Sequence, residues 1–173
     1  MLEKITRYFR KEASQQKKSE VDRFAKWNRH AKEVLAFAEK EAIRFKQEAI
    51  GCEHLLLGIL SQEQSVALKT LQLLEIDLVK TRETLEQKMV AGQALSIQGV
   101  TPNCKRAILF AVDEARRMKH SFVGSGHVLL GIMRVKEDMA AQFLEDLKVD
   151  TDQARVKVWE LFHHPDKETF QHL

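Results

Sequence analysis

The sequence predicts an all-α protein: two tandem four-helix repeats about a pseudo-twofold axis, preceded by a helical N-terminal arm. Three observations lead there. The 173 residues include only 7 Gly and 2 Pro, too few for turn-rich sandwiches and barrels or for a disordered chain. Ala, Leu, Glu, Lys and Gln abound while Tyr and Trp are scarce, a mixture that favours helix. Most tellingly, the stretch starting at Ala31 matches the stretch starting at Cys104 without a gap, at an offset of 73 residues. Eighteen of 59 aligned positions are identical, where composition alone would supply roughly four. A fixed period of this kind is a duplication, and it sets the fold.

Taken in order, residues 1–26 form a basic amphipathic arm. Leu2, Ile5, Phe9 and Ala13 make a narrow apolar stripe bordered by Lys4, Arg7, Arg10 and Lys11. Such a helix suits a partner groove or an anionic surface, and equally the protein's own body. Residues 27–162 hold the double repeat: repeat one at 27–89, a linker at 90–100 and repeat two at 101–162. Asn28 is placed to cap the first helix, whose Ala31, Leu35, Ala38, Ala42 and Phe45 recur at helical spacing. Its counterpart opens on Thr101-Pro102, a cap followed by Pro at the first helical position. A short apolar second helix spans residues 53–60, with Cys52 and, in repeat two, Ser125 as expected caps. Ser65 and Asp138 cap the third helices; Asp77 and Asp150 cap fourth helices ending near Met89 and Phe162. Residues 163–173 form a polar tail.

Charge and cysteine content narrow the function. A net charge of +3 is too small for a dedicated nucleic-acid binder, and no apolar run approaches membrane-spanning length. The charged N-terminus lacks a signal-peptide core. Cys52 and Cys104 have no clustered partners, so neither a zinc site nor a disulfide framework is expected, and the chain reads as cytoplasmic. No nucleophile–base set stands out, so no enzyme, cofactor or metal is expected.

The densest block of the repeat is Gly51-Cys52-Glu53-His54-Leu55-Leu56-Leu57-Gly58, answered by Gly124-Ser125-Gly126-His127-Val128-Leu129-Leu130-Gly131. With Thr101-Pro102 and the run Asp113 to Arg116, this phrase resembles the N-terminal domain of Clp unfoldases, the ClpA and ClpC type of double four-helix module. No Gly-Lys pair of an ATPase phosphate loop occurs. The resemblance therefore implies a stand-alone accessory factor or adaptor of a Clp unfoldase or protease, similar to plastid ClpT subunits. Lys26-Trp27-Asn28 looks like their entry sequence. Its partners would be Clp subunits and substrate proteins, met in a groove between the repeats or through Ile5, Arg7, Phe9 and Arg10. The alternatives are an N-terminal fragment of an unfoldase and a free-standing receptor for unfolded or arginine-phosphorylated segments.

In that family a Glu in the Glu-His phrase meets the guanidinium of phosphoarginine, and a Thr at the first helix start helps hold the phosphate. Here repeat one keeps Glu53 but has Asn28 for the Thr; repeat two keeps Thr101 but has Gly126 for the Glu. Taken repeat by repeat, each site retains one half, and Asn28 and Thr101 read first as helix caps. His54 and His127 are read as buried turn-fixing imidazoles. Cys52 carries a second reading, a thiol made reactive by a helix N-terminus. His163, His164 and His172 are read as part of a solvated tail.

Overall fold

The computed structural model describes residues 26–163. In chain order these form α1 (Arg29–Arg44), β1 (Ala49–Ile50), α2 (Cys52–Leu60), α3 (Val66–Leu73) and α4 (Leu78–Lys88). Repeat two adds β2 (Gly99–Val100), α5 (Pro102–Arg117), α6 (Ser125–Met133), α7 (Met139–Asp146) and α8 (Thr151–His163). The all-α architecture is as the sequence predicts, eight helices among the described residues. The arm residues Ile5, Arg7, Phe9 and Arg10, and His164 and His172, lie outside them.

Most helix starts follow the caps read from sequence. Asn28 accepts the Ala31 amide, Ser65 that of Leu68, Asp77 that of Lys80, Thr101 that of Cys104 and Asp138 that of Ala140. Asp150 accepts the Asp152 and Gln153 amides. The second helices differ from expectation. Their caps are Gly51 and Gly124, with Cys52 and Ser125 one position inside. Both glycines are extended (φ −102° and −108°); each amide donates to the Nδ1 of the histidine three residues on, at 2.9 Å. Each imidazole supplies the reciprocal half of a capping box, reaching back from the third helical position to accept the cap residue's own amide.

The core centres on α2 and α6. All nine residues of α6 are buried, and on α2 only Glu53 and Leu60 are partly exposed. Helix α1 lies on α2, and α5 on α6, because Gly58 and Gly131 let the backbones touch. A Cβ on Gly58 would stand 2.5 Å from the Val34 carbonyl oxygen, and one on Gly131 would run into that of Ala107. Val34 and Ala107 are themselves repeat counterparts.

The repeats do not fold side by side. α3 of repeat one packs on α6 and α8 of repeat two, and α7 of repeat two packs on α2 as well as α6. α2 and α6 also pack directly on each other. An open hollow of about 620 Å³ lies elsewhere, between Lys46, Gln47 and Glu48 and the linker residues Gln93, Leu95 and Gln98.

Two short strand pairings, absent from the sequence reading, bind the exchange. Ile50 pairs in parallel with Val100, and Trp27 with Val123. The two pairs are the same pair at the 73-residue offset. The Thr101 amide donates to Ile50 O, and the Asn28 amide to Val123 O, both at 2.9 Å. The extended residues entering a helix in one repeat thus find backbone partners in the connection of the other, as buried amides require.

Candidate functional site

This exchange decides which candidate residues meet. Thr101 is held against Ile50, three residues before Glu53, while Asn28 is held against Val123, three residues before Gly126. The half-sites read repeat by repeat therefore recombine. Thr101 and Glu53 flank one end of the molecule; Asn28 and Gly126 flank the other.

At the first end three helix N-termini converge: α2 at Cys52, α5 behind Thr101 and α7 behind Asp138. Asn103 Nδ2 donates to Asp138 Oδ2 at 3.1 Å, joining α5 to α7. The Glu53 side chain folds back over bare Gly51; its carboxylate fills the space a Cβ would need. Burial pushes the Glu53 carboxyl up, its own amide pulls it down, and the Asp138 charge adds to the rise. His54 Nδ1 is 3.2 Å from Glu53 Oε1, yet this is no ion pair. That nitrogen already accepts the Gly51 amide, and burial lowers His54 to about 4. The result is a partly buried carboxylate beside three helix starts. Such a surface suits a group carrying both a cation and an anion, a carboxylate for a guanidinium and helix N-termini for a phosphate.

Cys52 and Cys104 line the floor of this end and are wholly buried. Burial pushes both thiols up, further raised by the neighbouring carboxylates. The reactive-thiol reading of Cys52 is overturned: desolvation outweighs the helix N-terminus, and the thiols stay protonated.

The second end is built from imidazoles and phenyl rings. His127 Nδ1 accepts the Gly124 amide, which leaves Nε2–H to donate to His120 Nδ1 at 2.9 Å. Phe162 stacks on His127 at 4.8 Å, and Phe122 and His163 pack on His120. Burial, aided by the neighbouring His120, lowers His127 to about 3. In repeat one the counterpart of His120 is Gln47, whose amide turns to the Val90 carbonyl. His54 Nε2 is consequently buried with no partner among the described residues.

Sequence reading missed the buried charges. Glu114 is wholly buried and held by Arg134 and Arg155; its counterpart Glu41 is held by Arg44 and Arg82. Glu41 and Glu114, like Arg82 and Arg155, are identities of the repeat, and a charged pair kept in both copies was the signal. Among the described residues no group of three or more His, Cys, Asp or Glu is placed to hold a metal ion, and no helix is long and apolar enough to cross a membrane.

The sequence model of the Clp repeat (R) N-terminal domain matches residues 26–147 and 101–171. The chain is 39% identical over 140 residues to the negative regulator of genetic competence ClpC/MecB of Bacillus subtilis, covering 80% of this chain and 17% of that protein. It is 37% identical over 139 residues to the chaperone protein ClpB of Oceanobacillus iheyensis, with 80% and 17% covered. The chain thus spans less than a fifth of these relatives' length. Among solved structures, the ClpD N-terminal domain of Arabidopsis thaliana superposes with a TM-score of 0.63 at 19% identity, covering 81% and 96% of the two chains. The ClpV N-domain in complex with a VipB peptide gives 0.68 at 15% identity, covering 82% and 87%.

Proposed function

Because the chain belongs to the Clp repeat N-terminal domain family, we propose that it is a protein-binding module working as a non-enzymatic adaptor or accessory factor of a cytoplasmic Clp ATP-dependent unfoldase or protease. One observation carries the reading. The fold is shared with an N-domain that was solved holding a peptide, the ClpV–VipB complex. A rigid helical module of this kind raises the local concentration of a substrate, or bridges two large subunits, with no chemistry of its own. Its contact surface includes the arm, where Ile5 and Phe9 supply apolar anchors and Arg7 and Arg10 a basic border, the residue types in which interface energy concentrates.

A second reading is favoured by the meeting of Glu53 and Thr101 at one end: a receptor for arginine-phosphorylated segments, either free-standing or as the N-terminal part of an unfoldase. Calorimetry against a purified Clp ATPase and against free phosphoarginine separates the two. Adaptor contact through the arm predicts that Phe9→Ala/Arg10→Ala loses the ATPase while Glu53→Ala/Thr101→Ala keeps it. The receptor reading predicts that Glu53→Ala/Thr101→Ala loses phosphoarginine. An arm variant that binds the ATPase normally, beside a Glu53/Thr101 variant that does not, sinks the adaptor-through-the-arm reading.

A further inference from the structure

One duplicated sequence generates both ends of the pseudo-dyad, yet they no longer present the same surface. The counterpart of Glu53 is Gly126, and the room a side chain would need there is already filled. A Cβ on Gly126 would lie 2.7 Å from Val66 Cγ1 and 2.8 Å from Val158 Cγ1. The counterpart of Gly51 is Gly124, where a Cβ would stand 2.6 Å from Phe162 Cζ. Val66 reaches across from α3 of repeat one; Val158 and Phe162 come from α8. Val66 and Val158 are buried, and Phe162 is partly so, stacked on His127.

We infer that ligand docking is one-ended: the Gly124–Gly126 end is closed by Val66, Val158 and Phe162, and only the Glu53–Thr101 end receives a ligand. The inference rests on the receptor reading and adds to it. At the closed end Gly126 offers no carboxylate where Glu53 stands at the other. Three apolar side chains sit at contact distance on helix backbone whose amides an anion would otherwise approach. Admitting a ligand there means moving packed side chains into water, which opposes binding by their lost burial. The same contacts fasten α3 and α8 to α6, so the duplicated position serves as a receptor surface in one copy and as core in the other.

The test titrates the ¹⁵N-labelled full chain with a short peptide bearing one phosphoarginine. Amide shifts at residues 51–54, at 101–104 and at Asp138, saturating as a single 1:1 event, are the expected result, with residues 28 and 124–127 unmoved. A second saturating event, or shifts centred on residues 124–127, overturns the inference. A spectrum that moves nowhere overturns the receptor reading, and one-ended docking with it. The closure itself is read without any ligand through Gly126→Glu. That variant is expected to lower Tm by ~5–10 °C because the new side chain must displace Val66 and Val158. Adding Val66→Ala and Val158→Ala to it should return part of the loss. A Gly126→Glu protein that melts with the wild type overturns the closed end.

Discussion

His54 and His127 are one residue twice over, each wholly buried and each accepting the amide that opens its helix. Folding keeps them neutral, lowered to about 4 and about 3, whereas an unfolded imidazole takes its proton near ~6.5. Between those values the unfolded chain binds more protons than the folded one, so stability rises with pH. It is complete above ~6.5 and is lost as the solution is acidified towards the folded pKa. Urea midpoints should therefore drop progressively from pH 7 to 6 to 5. His127→Asn, which still offers an acceptor to the Gly124 amide but cannot titrate, should remove about 1.4 kcal/mol per pH unit from that slope; an unchanged slope would exclude His127 as its source. The buried carboxylate of repeat two behaves differently. Arg155→Ala withdraws one of the two cations on Glu114 and exposes the remainder to an incomplete shell, with an expected cost of ~3 kcal/mol. Arg82→Ala on Glu41, buried but 8% exposed where Glu114 is fully enclosed, should cost less, and equal costs would mean that this difference in burial is not what separates the copies.

At the scale of helices, Gly58 and Gly131 bring α1 onto α2 and α5 onto α6, and Leu57 and Leu130 lie in the same buried turns. Leu→Ala at either should cost ~2–5 kcal/mol, checked by chemical denaturation; near-native melting of both would contradict the packing. Thr101→Ala should cost ~1 kcal/mol by freeing the Cys104 amide. Much of this was legible. Apolar spacing located the helices, and the side-chain caps at Asn28, Ser65, Asp77, Thr101 and Asp138 fixed their starts, because capping is local chemistry written within three or four residues. Helix ends were harder to read. Lys46, Glu75, Lys119 and Lys148 adopt left-handed φ of 52–63° just past four of the helices, positions where Gly is the usual signal and none stands. The caps at Gly51 and Gly124 were misassigned to their neighbours because the hydrogen-bonding group sits on the histidine three residues later. The pairing of Thr101 with Glu53, rather than Asn28 with Glu53, was invisible for another reason. A gap-free internal repeat leaves undetermined whether equivalent contacts form within a copy or between copies.

Across the whole molecule those contacts form between copies. Ile50 with Val100 and Trp27 with Val123 tie the start of each repeat to the middle of the other, and α3 is packed by α6 and α8. Residues 1–95 expressed alone should consequently show no cooperative melt, and residues 96–173 likewise, whereas mixing them should restore one transition; a cooperative melt by either piece would mean that the repeats are independent units. On the proposed adaptor role the 173-residue chain is expected to hydrolyse no ATP unaided, and turnover that survives further purification would count against that. The reciprocal strand pairs have a further consequence for ancestry. A surface in which element i of one copy meets element j of the other, and j meets i, is the arrangement of an isologous dimer. A single-repeat ancestor would have left its helix-entry amides and the Trp27-like position uncovered until it met its own twin. Joining the twins through residues 90–100 turned a concentration-dependent encounter into an intramolecular one. Once fused, two such copies are free to diverge, and a self-associating repeat becomes a single chain whose two ends differ.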